Sequence, residues 1–320
     1  MGLLRLQWLH VNKAALIRRI PVLNHPNPNR AFEQKFQLIL SAFLDGYHAV
    51  LCSDPDVPAI KQELDHRYDI FYRGFAYEGL GMGLGARTLI HPSERRNLEA
   101  MFRVYSPNYV YQYYVGLGWW LSVRYGFHAA GYRRFLRDLD PFHGPIVYDG
   151  TGFRAGLLQG LPLPRLVRKF ARFGYVGERV CYQGWGRSLW FQHAFQLDKV
   201  LHNLEDISVP QQQDAISGVG LAMAYSCFDD VPGVLALAAQ VPIELQAAYW
   251  QGLSFGWQAR KLQTPQFDAY ISGFVPAVAE RVLASQQAVE DVRTRLFAEQ
   301  ASPRYTDWLD KVRLRMADVL

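Results

Sequence analysis

Cysteine is scarce in this chain of 320 residues: Cys52, Cys181 and Cys227 lie far apart, and none belongs to a Cys-x-x-Cys pair. That argues against a disulfide framework or a thiolate zinc site and fits a reducing compartment, so the cytoplasm is the expected location. No run of about 18 apolar residues is free of charge, so no transmembrane span is expected. Residues 1–21 lack both an apolar h-region and a small-residue cleavage site, so no secretory leader is expected. The Met-Gly start has no Ser or Thr at position 6, which removes the myristoylation pattern. HExxH and the Walker glycine loop are both missing. So are the Asp-Asp-x-x-Asp of ionising terpene synthases and the Asp-x-Asp-Asp of protonating cyclases; Asp138-Leu139-Asp140 is only a fragment of that kind. The net charge is +5 with both signs interspersed, and neither a basic tail nor an RNA-binding signature is present, so no nucleic-acid partner is expected. No metal or cofactor is read from the residues.

What the chain has is glycine at a fixed interval. Gly46, Gly79, Gly116, Gly150, Gly184, Gly218 and Gly252 follow one another at 33, 37, 34, 34, 34 and 34 residues. Five of them open a Gly-x-Gly pair, from Gly79/Gly81 to Gly218/Gly220. Half the residues are apolar and 14% aromatic, so the chain can bury a large core. A period near 34 is the signature of helix-turn-helix repeats. The expected fold is all-α, a superhelical or toroidal solenoid of about seven TPR-like repeats. Residues 31–286 would form it, 1–30 an N-terminal cap and 287–320 capping helices. Long first helices are expected near 32–52, 64–90, 107–126, 143–160, 176–195, 211–227 and 242–262. Short second helices are expected near 95–105, 129–139, 164–173, 197–207 and 231–240, with a longer one from 266. In the first unit the second helix is compressed into 56–63 or merges with the next long helix. Residues 1–21 mix Leu, Trp and Ile with Arg and Lys, and read as a capping helix or as a basic amphipathic helix for peripheral membrane contact.

Glycine inside a helix costs about 1 kcal/mol against alanine. Repeated use therefore needs a return, either close helix packing or an open groove floor. The residue ahead of each first glycine forms a row: Asp45, Glu78, Val115, Asp149, Gln183, Ser217 and Gln251. Polar side chains there either hydrogen-bond the next unit and fix its register or face a ligand. A carboxylate in an apolar cleft has a raised pKa and suits general-acid work, which makes Glu78, Asp149 and Asp45 the candidate catalytic groups. His48, three residues after Asp45, would join it as an acid/base dyad or as a structural hydrogen bond. Arg73 and Arg187 would fix a charged end of the ligand, or pair with acids between repeats. Arg87, Arg124 and Arg260, each eight residues after its glycine, present the same choice. Tyr77, Tyr148, Tyr182, Trp119 and Trp185, with Gln183 and Gln251, would line the groove or fill inter-repeat core.

Five blocks carry a family likeness: Arg73-Gly-Phe-Ala-Tyr-Glu-Gly79, Val115-Gly-Leu-Gly-Trp119, Asp149-Gly-Thr-Gly-Phe153, Gln183-Gly-Trp-Gly-Arg-Ser-Leu-Trp-Phe191 and Ser217-Gly-Val-Gly-Leu-Ala-Met-Ala-Tyr225. Over about residues 30–280 the chain resembles the UnbL family, domain of unknown function 1702. The resemblance implies natural-product biosynthesis. Such proteins occur in enediyne and other bacterial gene clusters beside an iterative polyketide synthase and the UnbU and UnbV proteins. The family offers no catalytic residue to carry over. The expected function is to bind a long apolar or polyene intermediate and help desaturate, isomerise or cyclise it. Two alternatives stand beside it, a non-catalytic scaffold that docks partner proteins and an isoprenoid cyclase with a lone carboxylate acid.

Overall fold

The computed structural model describes residues 7–24, 29–52 and 54–319. These are all-helical, with no strand among them. Seven long helices carry the periodic glycines: α1 (Arg30–Ala49), α2 (Ile70–Arg87), α3 (Val110–Tyr125), α4 (Val147–Gln159), α5 (Gly174–Gln192), α6 (Val209–Ser226) and α7 (Ile243–Gln263). Each is followed by a shorter helix, for example Ala129–Leu136 after α3 and Leu163–Phe170 after α4. Two further helices, α8 (Pro276–Glu299) and α9 (Tyr305–Val319), complete the chain.

Local chemistry sets the boundaries. Tyr68 is extended, and the Asp69 carboxylate accepts from the Phe71 and Tyr72 backbone N–H groups, so α2 starts at Ile70 rather than near 64. The first unit consequently has a separate second helix, Val57–Arg67, capped by Asp56. Ser208 and Gln211 form a capping box at the start of α6. Gly126 and Gly160 end α3 and α4 with positive φ. The single helix expected from 266 is broken: Phe267–Ser272 stops at Gly273, and Val275 is extended ahead of Pro276, where α8 begins. Helix α8 is continuous across position 286.

The basic amphipathic helix expected over 1–21 lies partly outside the described residues. From Gln7 onward there are only two short 3₁₀ turns and the five-residue helix Lys13–Ile17, with Leu16 and Ile20 buried and Trp8 exposed. No single described helix is long and apolar enough to cross a membrane.

The glycines return close packing. Each long helix packs on the next, from α1 on α2 through to α6 on α7. At each crossing from Gly116 on, the first glycine abuts the carbonyl of the residue ahead of the previous unit's glycine. A Cβ on Gly116 would lie 1.8 Å from the Glu78 oxygen, and one on Gly184 1.8 Å from the Asp149 oxygen. The second glycine answers from the other side, Gly152 against the Cys181 carbonyl and Gly186 against that of Ala215. Any side chain at these points would displace backbone, and the approach brings Cα–H groups onto carbonyl oxygens. The long helices are therefore an inner layer, with Gly74 to Arg87 of α2 buried without interruption. The short helices bury one face only, as with Leu166 and Phe170 of Leu163–Phe170.

Early and late units meet across the interior. Phe36 of α1 contacts Phe191 of α5 at 5.0 Å between ring centroids, and Lys35 pairs with Asp229 at 2.7 Å. Arg260 of α7 donates to the Phe71 carbonyl of α2 at 2.9 Å and to the Tyr225 carbonyl, with its guanidinium 3.9 Å from the Tyr225 ring centroid. It thus staples α7 to α2 and α6 through aromatics and carbonyls rather than through an acid. Arg87 does pair with an acid, Glu94, while Arg124 is exposed over the Tyr125 ring.

Candidate functional site

Glu78, Val115, Asp149, Gln183 and Ser217, each ahead of its glycine, lie at helix crossings with their carbonyls against the next glycine of the series. That places the row's side chains inside: Glu78, Asp149, Gln183, Ser217 and Gln251 are all buried. Register bonding accounts for part of it. Gln183 Nε2 donates to Ser217 Oγ at 3.3 Å, and Tyr305 of α9 donates to Gln183 Oε1 at 3.1 Å. Gln251 has no hydrogen-bond partner on either amide atom among the described residues.

The charged members converge on Arg187 of α5. Its Nη1 bonds the Asp149 carboxylate of α4, and its Nη2 lies 3.8 Å from Glu78 Oε2 of α2. The Phe153 ring centroid is 5.0 Å from the same guanidinium. Two acids and one base are thus enclosed with side-chain exposures of 6% for Glu78, 4% for Asp149 and 7% for Arg187. Burial pushes the Glu78 carboxyl up to about 7; the negative charge of Asp149 adds to the rise, and Arg187 and the neighbouring Trp119 oppose it. Burial also raises Asp149, but Arg187 counters it by direct contact. Asp149 and Arg187 therefore form the ionised pair, and Glu78 is the group that holds a proton near neutrality.

This cluster separates two small apolar cavities, each with Glu78 and Arg187 in its wall. One, of about 50 Å³, is also lined by Asp149, Tyr111, Tyr225, Phe255, Tyr305 and Trp308. The other, of about 30 Å³, is lined by Phe43, Phe75, Trp119, Phe153 and Phe191 among others. Each has room for a few water-sized groups. Two buried polar atoms in these walls have no hydrogen-bond partner among the described residues: Arg187 Nε and Gln112 Oε1.

The remaining sequence candidates are dispersed. Asp45 accepts from Tyr68 Oη and pairs with Arg67 at 3.2 Å, in neither cavity wall. His48 Nε2 accepts from the Val11 backbone N–H at 3.1 Å and its ring stacks on His10 at 4.5 Å. Its basic lone pair is therefore occupied, and among the described residues no hydrogen bond or ion pair joins it to Asp45. Arg73 donates to the Tyr68 and Asp65 carbonyls at 2.8 and 2.6 Å, closing the end of the preceding helix rather than facing the cavities. Tyr77 donates to Asp65 at 3.2 Å and stacks on Tyr109 at 4.0 Å. Tyr148 stacks on Tyr132 at 5.4 Å, and Tyr182 meets Trp185 edge-on at 6.3 Å, all four buried in the core. Trp119 does line a cavity, between Phe43 and Phe153 at 4.9 and 5.5 Å.

Sequence reasoning did not single out Tyr111, Gln112, Phe255, Tyr305 and Trp308. Tyr305 and Trp308 lie after the last repeat, where the glycine period carries no information. Tyr111 stands four residues before Val115 and Gln112 four before Gly116, each about one helical turn away on the same face, and that spacing was the available signal.

No curated protein matches the chain, and no solved structure matches it. Residues 2–316 match the family described as "Protein of unknown function (DUF1702)", nearly the full length, and the chain belongs to that family.

Proposed function

We propose that the protein binds a slender apolar or polyene molecule across the two cavities and moves a proton on it with Glu78. The observation that carries this reading is the shared position of Glu78 and Arg187 in the walls of both cavities. A protonated Glu78 beside the Asp149–Arg187 pair makes a cluster of zero net charge. Transfer of the Glu78 proton to a double-bond carbon forms a C–H bond from the π electrons and leaves a cation on the chain. The cluster then carries −1, which stabilises that cation, as do the surrounding aromatic rings. Return of a proton from an adjacent carbon to Glu78 completes an isomerisation or cyclisation with no oxidant. The free Arg187 Nε and Gln112 Oε1 would hold a polar group on the ligand.

The cavities are narrow, so binding widens them. The wall formed by α9 is the candidate to give way, because it is held from outside by Arg179–Asp310 at 2.6 Å and Arg313–Asp214 at 2.9 Å. In this reading the seven units form a closed TPR-like superhelix around the ligand. The protein works as a UnbL-type factor in natural-product maturation, beside a polyketide synthase and UnbU- or UnbV-like proteins. Enclosure of the aromatic rings favours ligand chemistry over partner docking. An isoprenoid substrate would use the same acid and the same rings, and differs only in the product.

The test is mass spectrometry of metabolites from the producing host with the gene intact, deleted, and replaced by Glu78→Gln. Accumulation of one unconverted apolar precursor in both altered strains supports the proposal. Normal product from the folded Glu78→Gln protein overturns the role of Glu78, and an unchanged metabolite profile on deletion overturns the function.

A further inference from the structure

Positive charge is concentrated in one part of the chain. Residues 95–172 contain 12 Lys and Arg against 4 Asp and Glu, more than the whole chain's excess of +5. Of the four acids, Asp149 is buried on Arg187, Asp138 is paired with Arg95, and Asp140 is paired with His143. Glu99 accepts from the Asp140 backbone N–H and from Tyr114. Most of the basic groups in this part have no counter-charge.

Four basic side chains from three places in the chain gather around one surface cleft of about 430 Å³. Arg19 comes from the N-terminal segment, His128 from the turn after α3, and Lys169 and Arg172 from the end of the helix after α4. The apolar part of the wall is Phe127, Leu158 and Leu161, and no acidic side chain lines the cleft. Among the described residues Arg19, Lys169 and Arg172 make no ion pair; Lys169 is held instead over the Phe127 ring, 4.4 Å from its centroid. Like charges crowd one another here. Arg165 and Arg172 lower the Lys169 ammonium, and Arg19 lowers the half-buried Arg154 beside the cleft, in each case after burial itself. Gly126, in the wall, and Gly160, between the lining residues Gln159 and Leu161, have open space where a Cβ would be, so nothing fills the mouth. Uncompensated repulsion among fixed cations is relieved by a bound anion, and guanidinium forks match phosphate oxygens in geometry.

We propose that this cleft binds a phosphate-bearing ligand, with Arg19, Lys169 and Arg172 on the phosphate and Phe127, Leu158 and Leu161 against its organic part. The phosphate comes either from a free organic phosphate or from a phospholipid headgroup, and the test separates the two. Full-length protein is titrated calorimetrically with inorganic pyrophosphate. It is also sedimented with vesicles of phosphatidylcholine, alone or mixed with phosphatidic acid. The double variant Lys169→Glu/Arg172→Glu removes the cleft charge. Arg133→Glu/Arg134→Glu makes the same net charge change at exposed positions outside the cleft. The milder Lys169→Gln/Arg172→Gln guards against misfolding, which circular dichroism checks. Binding of pyrophosphate that weakens about tenfold or more in the cleft variants, and about twofold or less in the control, assigns a free phosphate. The same pattern seen only with phosphatidic acid vesicles assigns a headgroup. Absence of binding to either probe, or an equal loss in the control, overturns the site.

Discussion

Arg187 Nη2 lies 3.8 Å from Glu78 Oε2 in the protein interior, while Arg187 Nη1 bonds Asp149. One guanidinium therefore serves two carboxyl groups delivered by α2 and α4, and it is bonded directly to only one of them. The asymmetry separates the roles of the two acids, since Asp149 is neutralised as an ion pair and Glu78 by a proton.

That division makes stability depend on pH in a stated direction. The Glu78 carboxyl is raised from 4.5 to about 7, so between these values the folded chain holds a proton that the unfolded chain has lost. The contribution is complete below about pH 4.5 and is lost as pH rises through about 7, with a total of about 3 kcal/mol. Glu78→Gln imitates the protonated form and lacks this loss. Urea unfolding at about pH 5 and about pH 8 should show the variant gaining on the natural protein at the higher pH.

Removing the shared base leaves two buried acids without a partner. Arg187→Met is expected to cost about 3–5 kcal/mol. Adding Asp149→Asn should restore part of that, because the worst uncompensated charge is gone. A double-mutant cycle by thermal unfolding measures the coupling, and strict additivity would argue against the pair.

The glycines predict a contrast between two kinds of site. Gly184→Ala drives a methyl to within 1.8 Å of the Asp149 carbonyl oxygen and should cost about 3 kcal/mol or more, despite alanine's better helix propensity. Gly160→Ala meets open space but a φ of +54°, and should cost about 1 kcal/mol. Chemical denaturation of the two variants ranks them directly.

Much of the inner layer was legible in the sequence because it obeys a rule that repeats. Gly116, Gly150, Gly184 and Gly218 mark successive crossings, and the carbonyl of the residue ahead of each abuts the next glycine. The period could not reveal which members of that row meet. Glu78 and Asp149 share Arg187 because α2, α4 and α5 bring these side chains together, which no single glycine interval states. Asp45 obeys the same spacing yet pairs with Arg67 and Tyr68, since the first unit stands at the end of the series. Tyr305 and Trp308 escaped notice because α9 closes the cavity from outside the repeat. Gly273 and Pro276 stand at the break between Phe267–Ser272 and α8, and the sequence reading took neither into account.

The most direct measurement is the titration of the Glu78 carboxyl carbon by NMR in protein labelled with ¹³C at glutamate Cδ, assigned by the signal lost in Glu78→Gln. A midpoint near 7, well separated from the exposed glutamates, is the predicted result. A midpoint at or below the ordinary 4.5 would mean that Glu78 is ionised at neutral pH and has no proton to give, contradicting its place as the acid between the two cavities.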